Sequence, residues 1–422
     1  MTASRILAAA CALFLVAAPP ALGASGLDRK IDGMVAASGF AGSHTGIAIV
    51  DRGTGRLLAV YHGRVELRPA SNMKLMTSAS ALGRLGFSNR LQTRAMASGA
   101  LTAGTLHGNL WLVGGGDPSF STVPFSRAAF GGASGLVHDL AVHLKAAGVE
   151  RITGAVVGDE SAFDTIRRGP DWKRDSWMDC APLSALTVNE DLLRFGDFAA
   201  APSPALRAAQ QLTLALQRQG IAVGHPAHTG THPGAARTLA AEPSPTIHRL
   251  VFEMDQVSDN FCAETLTKDL AVAAGKRGST KAGTTITHRY VHNLGVDLAG
   301  ARIWDGSGLS KGDRLSARQI LGVLRRAGAE QDGWFYRHAL PLAGVSGTLT
   351  DRMRSGPAFR NALAKTGTLA GASALSGFVT ARNGHHLAFS IVMNRRHINI
   401  PAAHRLQDRI VQLLAASAPL DR

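Results

Sequence analysis

The sequence predicts an α+β protein built from two discontinuous segments around a β-rich insertion. Three observations predict it. Short apolar strand runs stand near both ends of the chain, and helical periodicity fills 245–274 and 318–327. Between them, from about residue 88 to residue 242, short strands alternate with Gly-rich turns. With 422 residues, the chain has room for two domains or for one domain with a large insertion.

Residues 1–23 read as a cleaved secretory signal: Arg5, an apolar stretch from Ile6 to Ala18, and the small-residue site Ala21-Leu22-Gly23. That stretch is shorter than the ~20 residues that span a bilayer, and Cys11 lies too early for a lipid-anchor site. An exported, periplasmic protein is therefore expected. In that compartment Cys180 and Cys262 either form a disulfide or remain two small buried hydrophobes, and spacing does not choose between them.

Thr45 to Asp51 and Arg56 to Tyr61 read as a hairpin, and the Ser71–Leu82 run as a helix with Ser71 in its first turn. In the middle segment, Leu91–Met96, Leu106–Val113 and Arg151–Asp159 read as strands. His225, His228 and His232 lie in a Pro/His/Gly-rich stretch without a carboxylate or thiol to complete a metal set, and read as loop residues. Ala362–Thr368, Ala372–Ala381 and His386–Asn394 read as three strands, the last two joined at Asn383-Gly384. Arg405–Ala415 reads as a closing helix packed on the sheet.

The formal charge of +15 points to anionic surroundings such as wall polymer or a lipid surface. Export and the lack of a basic run with interleaved aromatics argue against nucleic acid. Only nine of the 45 basic residues are Lys. A desolvated Lys can lose its proton and Arg cannot, so each Lys position invites a chemical reason.

Two of those lysines fall in motifs that occur once each. Ser71-Asn-Met-Lys74 places a hydroxyl and an amine on one helical face, where a desolvated Lys can act as the serine's base. Ser258-Asp-Asn260 sits where a loop enters a helix, a cap position with Asp259 as a solvated cap residue. There Ser258 is suited to proton relay and Asn260 to holding a peptide group. Lys365-Thr-Gly367, followed by Thr368, falls on a strand whose alternation turns Lys365 and Gly367 one way and Thr366 and Thr368 the other. Lys365 then supplies charge for a substrate carboxylate, Gly367 leaves room for substrate backbone, and Thr366 and Thr368 offer hydroxyls. The N–H groups of Ser71 and Thr368 are the expected oxyanion hole, where one donor contributes on the order of 3 kcal/mol.

With these three motifs in this order, the chain resembles the D-alanyl-D-alanine carboxypeptidase/endopeptidases of the S13 type, the class C low-molecular-mass penicillin-binding proteins. The 183 residues between Lys74 and Ser258 are the mark of that group. Four further strings are similar to its segments: Gly114–Ser119, Ala181–Glu190, Asp305–Ser310 and Ala343–Leu349. Of these, only Asp305–Ser310 is expected beside the cleft. The resemblance implies a penicillin-binding-protein/β-lactamase-like transpeptidase domain, with an antiparallel sheet flanked by helices, over 24–87 and 243–422, and an inserted domain over 88–242. It also implies hydrolysis of peptidoglycan stem peptides ending in D-Ala-D-Ala through an acyl-enzyme on Ser71, together with D,D-endopeptidase cleavage and acylation by β-lactams. No cofactor or metal is called for, and peripheral contact with wall or membrane is compatible with the charge. The rivals are a serine β-lactamase, whose Glu-x-x-Leu-Asn string is absent, and a non-hydrolytic penicillin or wall sensor.

Overall fold

The computed structural model describes residues 26–173, 178–193, 196 and 199–417; the leader read at 1–23 lies outside the described residues. Five strands form one antiparallel sheet in the order Leu363–Leu369, Ala372–Thr380, His386–Asn394, Thr45–Asp51, Leu57–Tyr61. The start and end of the chain meet in its centre, where Thr45 pairs with Met393 and Asp51 with Leu387. All seven residues of Thr45–Asp51 are buried, because helices cover both faces. Period-2 alternation sends Ile47 and Ile49 to one side, against Gly26–Ala37 and Ile400–Ala416. Ala48 and Val50 face the other side, toward Lys74–Ala81, Ile247–Val257, Asn260–Ala273 and Ala317–Ala327.

The middle segment departs from the sheet at Arg90 and returns at Thr246. These two residues pair with each other, in antiparallel strands Arg90–Ala97 and Arg237–Thr246. Its core strands Leu110–Val113 and Val156–Asp159 run parallel. Parallel neighbours need a crossover, and helices Val123–Phe130 and Val137–Ala146 supply it. The insertion is thus less purely β than expected: these two helices and Pro204–Arg218 accompany its strands. The last of them was legible, since Ala205, Ala208, Ala209, Leu212 and Leu216 make a helical stripe behind a Pro at the first turn.

Other readings shift modestly. Pro245 lies in the strand Arg237–Thr246, and the helix starts at Ile247. The closing helix begins at Ile400, capped by the Asn399 side chain. Helices Gly26–Ala37 and Thr280–Asn293 were not read from the sequence. His228 pairs in a two-residue strand, and the Asp159 carboxylate accepts from the backbone N–H of His232 and contacts its ring Nδ1, both at 2.7 Å. Among the described residues, no group of three or more His, Cys, Asp or Glu is arranged to hold a metal, and no helix is long and apolar enough to cross a membrane.

Cys180 and Cys262 are unpaired and buried in different clusters. Their thiol hydrogens point to the carbonyls of Ala181 and Leu250, and burial pushes both thiols well above the ordinary cysteine range. A disulfide reagent should therefore find neither thiol in the native protein and both after denaturation. A native mass showing a Cys180–Cys262 bridge would contradict this arrangement.

Candidate active site

The chain reaches Ser71 through a strained step. Ala70 is buried with φ 48°, a left-handed conformation that costs a non-glycine residue about 1–2 kcal/mol. Ala70–Met73 is a 3₁₀ turn and the α-helix begins at Lys74, so Ser71 stands just ahead of the helix rather than in its first α-turn. Two glycines allow the surrounding backbone to close on this turn. A Cβ on Gly308 would lie 2.0 Å from the Ala70 carbonyl oxygen. One on Gly367 would lie 3.0 Å from the Pro69 oxygen and 3.1 Å from the Ser71 nitrogen. The Asn72 side chain fastens the same turn to the strand by donating to the Lys365 carbonyl at 3.0 Å. Sequence reading passed over Asn72, which lies inside the Ser-x-x-Lys motif.

Lys74 is fully buried and its Nζ lies 3.3 Å from Ser71 Oγ. It donates to Asn260 Oδ1 at 2.6 Å and to the Ser307 carbonyl at 2.9 Å. Burial holds its pKa below the ordinary lysine value, and the carboxylates of Asp259, Asp305, Glu264 and Asp255 offset only part of that effect. The Asn260 amide is oriented from its other end, where Nδ2 donates to the Asp179 carbonyl at 2.8 Å. Three chain segments, 71–74, 260 and 307, thus converge on one amine.

Ser258 has a left-handed backbone, φ 63°, and closes helix Ile247–Val257 immediately before Asp259 caps the next helix by accepting from the Cys262 N–H. This sharp reversal sets Ser258 two residues ahead of Asn260, whose side chain reaches Lys74. Asp259 corrects the expectation of a solvated cap. It is half-buried, it shares a side-chain hydrogen bond with Glu190, and burial raises its pKa.

On the strand Leu363–Leu369 the alternation is as expected: Lys365 and Gly367 are buried, Thr366 is half-buried and Thr368 exposed. The Thr366 hydroxyl donates to Thr348 Oγ1 at 2.7 Å. Lys365 differs from the expected standing cation. Among the described residues its Nζ has one long hydrogen bond, 3.4 Å to the Thr366 carbonyl. Burial, followed by repulsion from Lys74, lowers its pKa to about 7 against the pull of Asp255. Asp255 is itself pushed up by burial to about 6, opposed by Lys365, by the 2.7 Å bond from Ser78 Oγ, and by Lys74. Burial thus disfavours the charge on both groups, and each partly restores the charge of the other.

A bed of carboxylates fixes the loop that carries Ser307. Glu264 Oε1 accepts from the N–H groups of Gly306 and Ser307, at 2.9 and 2.7 Å, and burial raises Glu264 to about 8. Asp305 accepts from Gly308 and Ser310, at 2.7 and 2.6 Å, and from the Trp172 indole at 2.8 Å. Asp305–Ser310 thus meets the Lys74 amine through the Ser307 carbonyl. Two other strings touch motif residues as well, against expectation: Asp179 and Glu190 flank and end the Ala181 string, and Thr348 belongs to the Ala343 string.

Residues 27–196 and 194–417 match the model of the D-Ala-D-Ala carboxypeptidase 3 (S13) family. The chain belongs to this family. It is a hydrolase of the D-Ala-D-Ala carboxypeptidase type. A D-alanyl-D-alanine carboxypeptidase of Actinomadura sp. (strain R39) is 30% identical over 96% of this chain and 88% of its own length. A carboxypeptidase of Mycobacterium tuberculosis is 32% identical over 82% of this chain and 75% of its own length. In fold, penicillin-binding protein 4 of Haemophilus influenzae aligns at a TM-score of 0.75 with 21% identity, covering 91% of this chain and 98% of that one. S13 membership agrees with the order in which the three motifs occur along the chain.

The Lys365–Asp255 pair makes a prediction about pH. Asp255→Asn removes the negative charge that favours the Lys365 ammonium, so Lys365 should lose its proton at lower pH, by about one unit. Titration of ¹³C-labelled lysine by NMR reads this directly. An unmoved Lys365 resonance would show that Asp255 does not act on it.

Proposed function

We propose that Ser71 is the nucleophile of a serine D-Ala-D-Ala carboxypeptidase acting on peptidoglycan stem peptides, with Lys74 as its base. The observation that carries this reading is the buried Lys74 amine with a lowered pKa, in contact with Ser71 Oγ and Asn260 Oδ1. Neutral Lys74 has a lone pair for the Ser71 proton as Oγ adds to the penultimate carbonyl. The oxyanion forms against the N–H groups of Ser71 and Thr368. Collapse breaks the peptide bond, and Ser258 relays the proton held by Lys74 to the departing D-Ala amine, which leaves Lys74 neutral for the second half of the reaction. Water then adds to the ester, gives its proton to Lys74, and Ser71 recovers its hydroxyl as the shortened peptide leaves.

Lys365, Thr366 and Thr368 bind the terminal carboxylate in this reading, and Gly367 admits the peptide backbone. A pKa near 7 suits Lys365 to that role, because an arriving carboxylate favours the ammonium and so couples binding to protonation. The same geometry accepts the amide of a cross-link, giving endopeptidase activity, and the strained amide of a β-lactam, whose tethered leaving group holds Ser71 acylated. Residues 24–87 and 243–422 form the catalytic domain and 88–242 the insertion, a division supported by the pairing of Arg90 with Thr246. Export to the periplasm, where the substrate lies, follows from the leader read in the sequence.

Ser71→Ala should abolish both the labelled-penicillin adduct and release of D-Ala from pentapeptide muropeptides. Lys74→Arg keeps the charge but not the base, and should lower acylation by about 100-fold or more. Near-normal acylation in Lys74→Arg would remove Lys74 as base. Rapid penicillin turnover would indicate a β-lactamase, and a stable adduct without D-Ala release a sensor.

A further inference from the structure

A second cationic site lies where the catalytic strand ends. A pocket of about 560 Å³ is lined by His44, Arg68, Asn394, Arg395, Arg396 and His397, with no acidic residue among them. Its floor is built rather than incidental. The Asn394 side chain accepts from the Arg68 N–H at 2.8 Å and donates to the Arg68 carbonyl at 3.1 Å. The Asn394 N–H donates to the His44 carbonyl at 2.7 Å. Arg68 Nη2 reaches the Ala370 carbonyl at 3.2 Å, and the Arg395 N–H reaches Gly371 at 3.0 Å. Arg395 is steered by the Phe40 ring, 5.4 Å away, and by the Ala41 carbonyl, while its buried Nε has no hydrogen-bond partner.

The charge continues beyond the pocket. Arg314 and Arg302 stand near enough to Arg68 that, after burial, their mutual repulsion lowers the Arg314 pKa. None of Arg68, Arg302, Arg314, Arg395 and Arg396 forms an ion pair with a carboxylate among the described residues. Asp313 supplies some counter-charge to Arg314, but Arg68, Arg395 and Arg396 line the pocket with no acidic residue among its lining, and an anion arriving there relieves their repulsion. The planar guanidinium fork fits a carboxylate well.

Position along the chain indicates which anion. Arg68 is three residues before Ser71, and its Ala370 partner is two residues after Thr368. A peptide laid along Leu363–Leu369 and running past its end meets this pocket. We propose that the Arg68–Arg395–Arg396 pocket is a subsite for the carboxylates of the second stem peptide of a cross-linked substrate. This rests on the carboxypeptidase reading and adds to it a preference for cross-linked over single-stem peptides.

The test measures binding of a cross-linked muropeptide dimer to the full mature chain carrying Ser71→Ala, so that no turnover intervenes. The dimer is used with its carboxylates free and with them amidated. The free dimer should bind more tightly. Arg395→Gln/Arg396→Gln should weaken the free dimer about fivefold and leave the amidated dimer unchanged, narrowing the difference between them. Arg396→Gln alone, at an exposed position, should give a smaller change in the same direction and guards against misfolding of the double variant. Equal binding of the two dimers, or no effect of either variant, overturns the proposal. A variant that loses only its binding to phosphatidylglycerol vesicles also overturns it, making the pocket a membrane contact. Penicillin acylation of the protein retaining Ser71 is measured in parallel. If no adduct forms, the catalytic reading fails while the dimer comparison still decides the subsite.

Discussion

The burial of one ammonium group organises this site. Lys74 has no exposed surface, and removing a lysine charge from water costs several kcal/mol unless partners replace the water. The partners are Ser71, one turn back, and two groups from distant parts of the chain, Asn260 at the start of a helix and Ser307 in a loop. Losing any of them would leave a buried donor unsatisfied, so chemistry and folding constrain the same atoms. The residual cost of burial appears as a lowered pKa, which is the property a base for serine requires.

The rest of the architecture serves that convergence. The ends of the chain close one sheet, so Leu363–Leu369 lies against the turn that carries Ser71. Gly308 and Gly367 permit the approach, and Ala70 accepts a left-handed backbone to make it. Beneath the cleft, Asp255, Asp259, Glu264 and Asp305 temper the desolvation of Lys74 without cancelling it. Lys365 and Asp255 titrate near neutrality in the same buried space, so the protonation state of the cleft is a property of the whole cluster.

Much of this was legible from residues alone. Two singly occurring motifs named Ser71, Lys74 and Asn260, which meet in the structure, and period-2 and helical periodicity placed the sheet strands and the helices Ile247–Val257, Asn260–Ala273, Ala317–Ala327 and Ile400–Ala416. What sequence patterning did not convey was depth. Nothing in Lys-Thr-Gly distinguishes a cation on a strand edge from one buried beside a second lysine, because burial depends on Asp255 and Lys74, which are 110 and 291 residues away in the chain. The same limit hid the role of Asp259, whose partner Glu190 comes from the middle segment. Pro204–Arg218 was a different kind of omission: its helical stripe was present but lay within a stretch dominated by turn residues.

In the proposed reaction Ser71 adds to a carbonyl only while Lys74 is neutral. The direct measurement is the single-turnover rate constant for penicillin acylation of the purified protein across pH. The rate should rise to a plateau with a midpoint below the ordinary lysine value of 10.5. A rate that keeps climbing to an ordinary lysine titration, or one indifferent to pH, would contradict it.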